Sequence, residues 1–425
     1  MSPNLPRFPA DPDAAAAPRM SRRVLLRRGA YGVSMLVGGS ILAACDRGAS
    51  APSATATPSR PAIDPAEWWP DQRQTGRLNF ANWPYYIDTV AGNRHPSLDL
   101  FSQQTGIHVH YFHPIQDNDS FLRVIQPYLQ ANVPPFQDLV VMTNGPEVDT
   151  MIASGWLTPL DQTRLTNFHR YASDLVRDPV WDPGNKYSVA WQSWLTGIAY
   201  RPEAVDALGR APTSIQDLYD PALEGKVGMM SNSLDLGSTG LLAIGVDPEG
   251  STQTEWQQAA DSLREQRGTG VVRSYYDQGY VGALRRGDVW ITQAWSGDIF
   301  QLRQAGQREL EFVVPEEGAL LWTDNMLIPI NARHPLDAMT FIDFVYRPDV
   351  AAMIADWVWY ICPVPDAQSI IADDYGDVAV ARSPLVFPTP GSLGPEGALK
   401  RYPVFDDTSA AAAWSAIFDS IPLGL

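Results

Sequence analysis

Beyond Arg77 the chain alternates short β-type runs with longer amphipathic ones, and that order constrains the fold more than any other feature. Leu78, Phe80 and Asn82 alternate along a first strand. HPSLDLFSQQTG (His95 to Gly106) reads as a helix with Gly106 as its stop, because glycine accepts the left-handed conformation that ends helices. IHVHYF reads as a strand, and DNDSFLRVIQPYLQ as a capped helix that Pro127 should bend or break. DLVVMT (Asp138 to Thr143) has the unbroken apolar character of a buried strand, and PEVDTMIASGWL reads as a helix ending at Gly155. A βαβα order calls for a mainly parallel sheet with helices on both faces.

KYSVAWQSWLTGIAYRPEAV departs from this rhythm and reads as two strand-like runs followed by a helix start. A second series then begins. TSIQDLYDPALEGKVGMM gives helix, loop and strand; STGLLAIG and TEWQQAADSLREQRG give helices; DVWITQAWSGD and ELEFVVPEEG give strands. ALLWTDNMLIPI follows, then helices in HPLDAMTFIDFVY and RPDVAAMIADWVWY. With 425 residues there is room for two or three domains. Two α/β series imply two lobes, and ligands of such pairs lie in the crevice between them.

The N-terminus reads as an address. Arg22-Arg23 and Arg27-Arg28 precede an apolar, Gly-rich run from Gly29 to Ala44 that is short for a membrane span. Ser21 to Leu26 resembles a twin-arginine export motif, and Leu42-Ala43-Ala44-Cys45 resembles a bacterial lipoprotein box, with cleavage before Cys45 and lipid on its sulfur. The competing reading is an uncleaved anchor in which Cys45 is an ordinary residue. Residues 45–76 are polar and Pro-rich and are expected to be a flexible tether. The second cysteine, Cys362, is distant in sequence from Cys45, which argues against a disulfide, and no Cys/His spacing of metal-site type is present.

Charge narrows the function classes. Residues 45–425 hold 25 basic and 46 acidic side chains, against an overall net charge of −17. Such a surface repels nucleic acid and anionic lipid and favours cationic partners, unless its acidity serves only solubility. The 14 Trp exceed what a core of this size needs, which points to a binding cleft.

Four stretches, in order, resemble the spermidine/putrescine (polyamine) binding proteins of bacterial ABC importers. They are LNFANWPYYID, DLVVMTN, GDVWITQAWSGD and WTDNMLIPINARHPLDAMTFIDFVYRPDVA, with LYDPALEGKVGMM as a further fit. The resemblance spans about Arg77 to Asp366. It implies an α/β, two-lobed periplasmic-binding-protein-like fold (type II), each lobe a mainly parallel sheet flanked by helices, with ligand captured by closure and no chemistry. The first lobe is expected from 77–188 plus about 296–333, and the second from 189–295 plus about 334–425, hinged near Ser188–Gln192, Trp295–Asp298 and Pro329–Arg333. Carried over by position, Trp83 and Tyr86 become first-lobe aromatics, Asp235 a second-lobe acid, and Trp295 with Asp298 the pair that meets an ammonium. Trp322 and Asp324 fall where that family places ligand-facing residues. Pro84 stands where a hydroxyl residue is common, and MTNGPE lacks a frequent tyrosine, leaving Thr143 or Asn144 as the polar candidate.

The chemistry suits those residue types. A polyamine alternates methylene chain with ammonium groups, so its cleft needs spaced carboxylates against the desolvation penalty and flat apolar walls between them. Aromatic faces supply the walls and attract the cation, by about 0.5–2 kcal/mol each. Asp277, in the aromatic stretch SYYDQGY, is a further acid candidate. Each candidate has a structural alternative: Trp83 as a staple to the core, Asp298 as a cap for a helix starting at Ile299, Asp235 as another cap, Asp324 as a turn residue.

Two other motifs are weaker. His108, His110 and His113 lie close together, but nothing local completes a metal site. Gly237-Ser238-Thr239-Gly240 lacks the lysine of a phosphate loop. The sequence therefore predicts an extracytoplasmic, lipid-anchored, monomeric substrate-binding subunit, with a polyamine ligand, a membrane permease as partner, no cofactor, no metal and no nucleic acid. The rivals are the same fold holding an opine, amino acid derivative or sugar through Arg201, Arg273 or Arg333, an extracytoplasmic enzyme, and a sensor without transport. No Gly-x-Ser-x-Gly or His-Glu-x-x-His supports the enzyme.

Overall fold

Ten strands join into one sheet in this computed structural model, which describes residues 63–424 apart from 390, 395–396 and 406–407. The strands are β1 (Arg77–Ala81), β2 (His108–Phe112), β3 (Leu139–Thr143), β4 (Ser188–Tyr200) and β5 (Val227–Met230). They continue with β6 (Val272–Tyr276), β7 (Ile291–Trp295), β8 (Glu311–Val313), β9 (Ala319–Leu327) and β10 (Leu399–Lys400). The order is β2-β1-β3-β9-β4-β7-β5-β6, with β10 beside β9 and β8 beside β4. β1 pairs in parallel with β2 and β3, and β5 with β6 and β7. Between these two parallel groups β9 and β4 run antiparallel to each other, β9 also to β3 and β4 also to β7. The expected two-lobed α/β fold is present, and the lobes share a sheet through these two strands.

β4 is a single strand of 13 residues, where two shorter runs are expected from the sequence. Its register against β9 steps from Ala190↔Asn325 to Gln192↔Asp324, so Trp191 is the extra residue of a β-bulge. A bulge interrupts the period-2 pattern, which is why the sequence reads as two runs. The helix Asn118–Gln130 starts where Asp117 accepts the backbone N–H of Ser120 at 2.7 Å, and it continues through Pro127 rather than breaking there. The helix Pro96–Thr105 stops at Gly106, in the left-handed region at φ 74°.

Two hydrophobic cores sit on the two halves of the sheet. The first gathers Phe80, Val141 and Trp191 with Phe341, Ile354 and Phe387, so the helices Pro335–Phe344 and Pro348–Val358 belong to the first lobe. This differs from the expected assignment of 334–425 to the second lobe. Three carboxylates, Asp138 and Asp337 buried and Asp343 half-buried, help explain the difference. Asp138, at the start of β3, accepts the backbone N–H groups of Arg333 and His334 at 2.9 and 3.0 Å, together with Asn79 N–H at 2.9 Å. Asp337 accepts Thr75 N–H at 2.9 Å, and Asp343 accepts Asn167 N–H at 2.7 Å. The chain leaving β9 is thus tied back to the first lobe.

The second core gathers Met229, Leu236, Trp256 and Leu263 with Trp414, Phe418 and Ile421. The helix Ser296–Gln304 divides its side chains, Ile299 and Leu302 facing a satellite core with Tyr280 and Phe300 joining the first core. The helix Thr408–Phe418 packs so closely that a Cβ on Gly237 would lie 2.4 Å from Trp414 Cζ2. The terminal helix is thus part of the second core.

The folded body also begins earlier than Arg77. Asp64 caps the turn Pro65–Trp68, and Trp69 is buried with its indole N–H on Pro159 O at 2.9 Å. The Pro-rich composition around Trp68-Trp69 hid this anchor. The export signal, Cys45 and the tether up to residue 62 lie outside the described residues. Among the described residues no helix is long and apolar enough to cross a membrane.

Trp414 fills the second core, so Trp414→Ala is expected to lower unfolding free energy by about 3–5 kcal/mol, read by urea denaturation. A loss under 1 kcal/mol would mean the terminal helix is not part of that core.

Candidate functional site

Directly opposed residues of an antiparallel pair share a face, so the register of β4 on β9 decides what meets in the middle of the sheet. Gln192, Trp194 and Thr196 stand opposite Asp324, Trp322 and Leu320. The rings of Trp194 and Trp322 stack at 5.5 Å and 22°. Trp295, at the end of β7, meets Trp194 edge-on at 5.1 Å. Tyr402 stacks on Trp322 at 5.5 Å and 2°, so four aromatic rings gather around the crossing strands.

Asp235 lies beneath this cluster at 2 % exposure. Its carboxylate accepts Thr196 Oγ1 at 2.6 Å, Asn232 Nδ2 at 2.8 Å and the Trp295 indole N–H at 3.2 Å. Thr196 Oγ1 in turn accepts the Trp322 indole N–H at 3.1 Å. Burial pushes the Asp235 carboxyl upward, and these hydrogen bonds pull against it. The cap of the helix Ser233–Ala243 is Asn232, whose side chain accepts Asp235 N–H, so Asp235 steadies the cap rather than making it.

Asp324 is 1 % exposed and accepts Thr143 Oγ1 at 2.5 Å and the Tyr86 hydroxyl. Asn144 follows Thr143, and its Oδ1 accepts Thr323 N–H at 2.8 Å while its own N–H reaches Thr323 O at 2.9 Å. Tyr86, Asn144 and Asp324 thus meet where β3 and β9 pair. Asp298, at 5 % exposure, accepts the hydroxyl of Tyr280, which also accepts Trp295 N–H at 3.0 Å. The helix starts at Ser296 without a side-chain cap, so the alternative of Asp298 as a cap is not realised.

Of the expected residues, Asp235, Trp295 and Trp322 form one connected group, which Asp298 joins at Trp295 through Tyr280, and Tyr86, Asn144 and Asp324 gather as another. Trp83 is half-buried against the first core, with its N–H on Asn82 Oδ1 at 2.8 Å. Asp277 is exposed at the bend after β6, and among the described residues no hydrogen bond joins it to the others. His108, His110 and His113 are exposed on or just after β2, the outermost strand on that side. Of the arginines considered for a carboxylate ligand, Arg201 is held by Glu203 at 3.1 Å, and Arg273 and Arg333 are exposed.

Sequence reasoning missed Trp194, Thr196, Tyr280, Tyr360 and Tyr402. The alternation Gln192, Trp194, Thr196 carried a signal for the first two once β4 is one strand. Tyr360 meets Tyr86 edge-on at 5.2 Å and packs against the next lobe, where a Cβ on Gly297 would lie 2.6 Å from its ring. Tyr402 arrives from far along the chain, and its hydroxyl lies 3.1 Å from Asp149 Oδ2. Buried carboxylates held by neutral donors beside stacked indoles can receive a cation with an apolar body.

Comparison with known proteins gives the same picture. The profile of the bacterial extracellular solute-binding protein family matches residues 99–387. The chain is 28% identical over 297 residues to the spermidine/putrescine-binding periplasmic protein of Salmonella typhimurium, covering 70% of this chain and 80% of that one. It is 27% identical over 328 residues to the putrescine-binding periplasmic protein PotF of Escherichia coli, covering 73% and 83%. Among solved structures it is similar to the spermidine/putrescine ABC transporter substrate-binding protein PotD of Streptococcus pneumoniae. That match has a TM-score of 0.68 at 22% identity over 82% of this chain and 99% of that one. The TpPotD lipoprotein of Treponema pallidum gives 0.63 at 20% over 81% and 99%. At these identities the structures speak for the fold.

Asp149 carries a pH prediction. Its carboxyl is pushed up from 3.8 to about 6, mainly by burial, with Tyr402 opposing and Glu147 adding to the rise. The folded chain then holds a proton that the unfolded chain has lost, so this contribution to stability falls as pH rises from 3.8 to about 6. Asp149→Asn is expected to flatten that part of the slope, measured by urea midpoints at about pH 4.5 and 6.5. An unchanged slope would show that Asp149 titrates normally.

Proposed function

The chain belongs to the bacterial extracellular solute-binding proteins, and from that premise we propose that it captures a polyamine of the putrescine/spermidine class as the binding subunit of an ABC importer. The carrying observation is the pairing of buried acids with indoles: Asp235 under Trp295 and Trp322, and Asp324 two residues from Trp322 on the same face of β9. Asp235, Asp298 and Asp324 neutralise ammonium groups, and Trp295, Trp194 and Trp322 flank the methylene chain. Tyr86 and Asn144 hold the first-lobe side. Trp83 borders the same loop, and Asp277 stands at an outer margin where it meets ligand on entry.

Burial of all three acids means that ligand enters only when the lobes part. β4 and β9 are the strands that flex, since β9 pairs with β3 of the first lobe, β4 with β7 of the second, and the two with each other. The similarity to proteins named for spermidine and putrescine supports this ligand class over a carboxylate ligand, as do the positions of Arg201, Arg273 and Arg333. Among the described residues no group of three His, Cys, Asp or Glu side chains is placed to hold a metal ion.

We further propose that the mature chain is a monomer tethered by lipid on Cys45 at the outer face of the cytoplasmic membrane, after twin-arginine export, and that it docks to a permease when closed. Cys45→Ser is expected to move the protein from the membrane fraction to the soluble one on cell fractionation. Retention in the membrane would identify an uncleaved anchor instead.

Calorimetric titration of the full chain with putrescine, spermidine and spermine tests the ligand class. At least one should bind at micromolar strength or better, more weakly at higher salt. Asp298→Asn and Asp324→Asn should each weaken binding more than tenfold with little change in apo melting temperature. No heat and no melting shift with any of the three would remove the polyamine reading and turn attention to carboxylate ligands.

A further inference from the structure

The bulge at Trp191 has a directional effect. In an unbroken strand Gln192 would share a face with Ala190, and Ala190 opposes Asn325. Asn325 and Asp324 are neighbours on β9 and point to opposite faces. The extra residue reverses the alternation, so Gln192 stands opposite Asp324 instead. Side-chain contacts on either face agree: Ser193 Oγ lies 3.0 Å from Thr323 Oγ1, and Trp194 stacks on Trp322. The displaced Trp191 enters the first core, where its indole N–H donates to Tyr86 O at 3.1 Å. On the other side of β9, Thr143 is also in register with Asp324. Three strands therefore present Thr143, Asp324 and Gln192 in one row.

Gln192 is 2 % exposed, and among the described residues its Oε1 has no hydrogen-bond partner. A buried amide oxygen in that state costs about 1–3 kcal/mol and calls for an explanation, of which a bound donor is one. Its neighbours define what that is. Asp324 accepts the protons of Tyr86 and Thr143, so Thr143 Oγ1 turns lone pairs, not a proton, to whatever approaches. The row offers a carboxylate, an amide oxygen and a hydroxyl oxygen, all acceptors. A nitrogen bearing three N–H groups and a positive charge matches such a set, whereas one with a single N–H uses only the carboxylate.

Resting on the polyamine reading, we propose that the bulge aims Gln192 Oε1 at the ligand nitrogen paired with Asp324, making Gln192 the residue that selects a primary ammonium terminus. Gln192 is a binding and specificity residue rather than part of the fold's support.

The test uses the full chain, titrated with putrescine and with N,N,N′,N′-tetramethylputrescine, whose nitrogens keep one N–H each when protonated. Gln192→Met and Gln192→Leu should weaken putrescine binding by about tenfold or more, narrowing the preference over the tetramethyl compound by a similar factor. Their apo melting temperatures should hold or rise, because the orphaned oxygen is gone. Gln192→Glu, which keeps an oxygen at the same reach, should retain the preference for putrescine. If the wild type binds putrescine and Gln192→Met binds it within twofold, this proposal fails and the ligand class stands. An equal loss for both ligands, or a fall in apo melting temperature that tracks the loss, makes Gln192 structural and also overturns it. If the wild type binds no polyamine at all, the ligand class falls and the proposal falls with it.

Discussion

The antiparallel pairing of β4 with β9 is the constraint on which everything else depends. Both strands carry residues of both lobes, so their register fixes which first-lobe side chains stand beside which second-lobe ones. Asp324 reaches β3 through Thr143, while Trp322, two residues away, reaches Asp235 through Thr196. One step of slip would send both side chains to the opposite face. The bulge at Trp191 is part of the same register and cannot be removed without turning the row around it.

Electrostatics follow from that geometry. Asp235 is deeply buried, and its partners are a hydroxyl, a side-chain amide and indole N–H groups. Neutral donors hold a carboxylate in position without cancelling its charge. In the proposed function an incoming cation supplies the missing counter-charge and offsets the burial that pushes this carboxyl upward, and the acidic exterior adds a longer-range attraction.

The fold class was legible because strand and helix periods alternate clearly from Arg77 to Val358. Of the two acid and tryptophan stretches, WSGD spans the end of β7 and the first turn of the next helix, whereas WTDN lies inside β9. What sequence could not show was partnership at long range. Tyr280 answers to Asp298, Tyr360 to Tyr86, and Tyr402 to Trp322 and Asp149, each across a separation with no local trace. The lobe assignment of residues 335–387 went the other way because their apolar side chains join the first core and backbone N–H groups donated to Asp138, Asp337 and Asp343 hold the segment there. Trp69 was concealed in a stretch whose prolines look like linker, although Pro65 fits the first turn of a capped helix.

The two cores are interleaved along the chain, and this bears on the order of folding. The first core closes with the segment that ends near Phe387, whereas the second waits for Trp414, Phe418 and Ile421. During synthesis the first lobe can be complete while the helix Ser233–Ala243 still exposes the face that Trp414 will cover. That face is a hydrophobic surface uncovered for as long as the remaining chain takes to emerge, and a natural place for a holding chaperone to act.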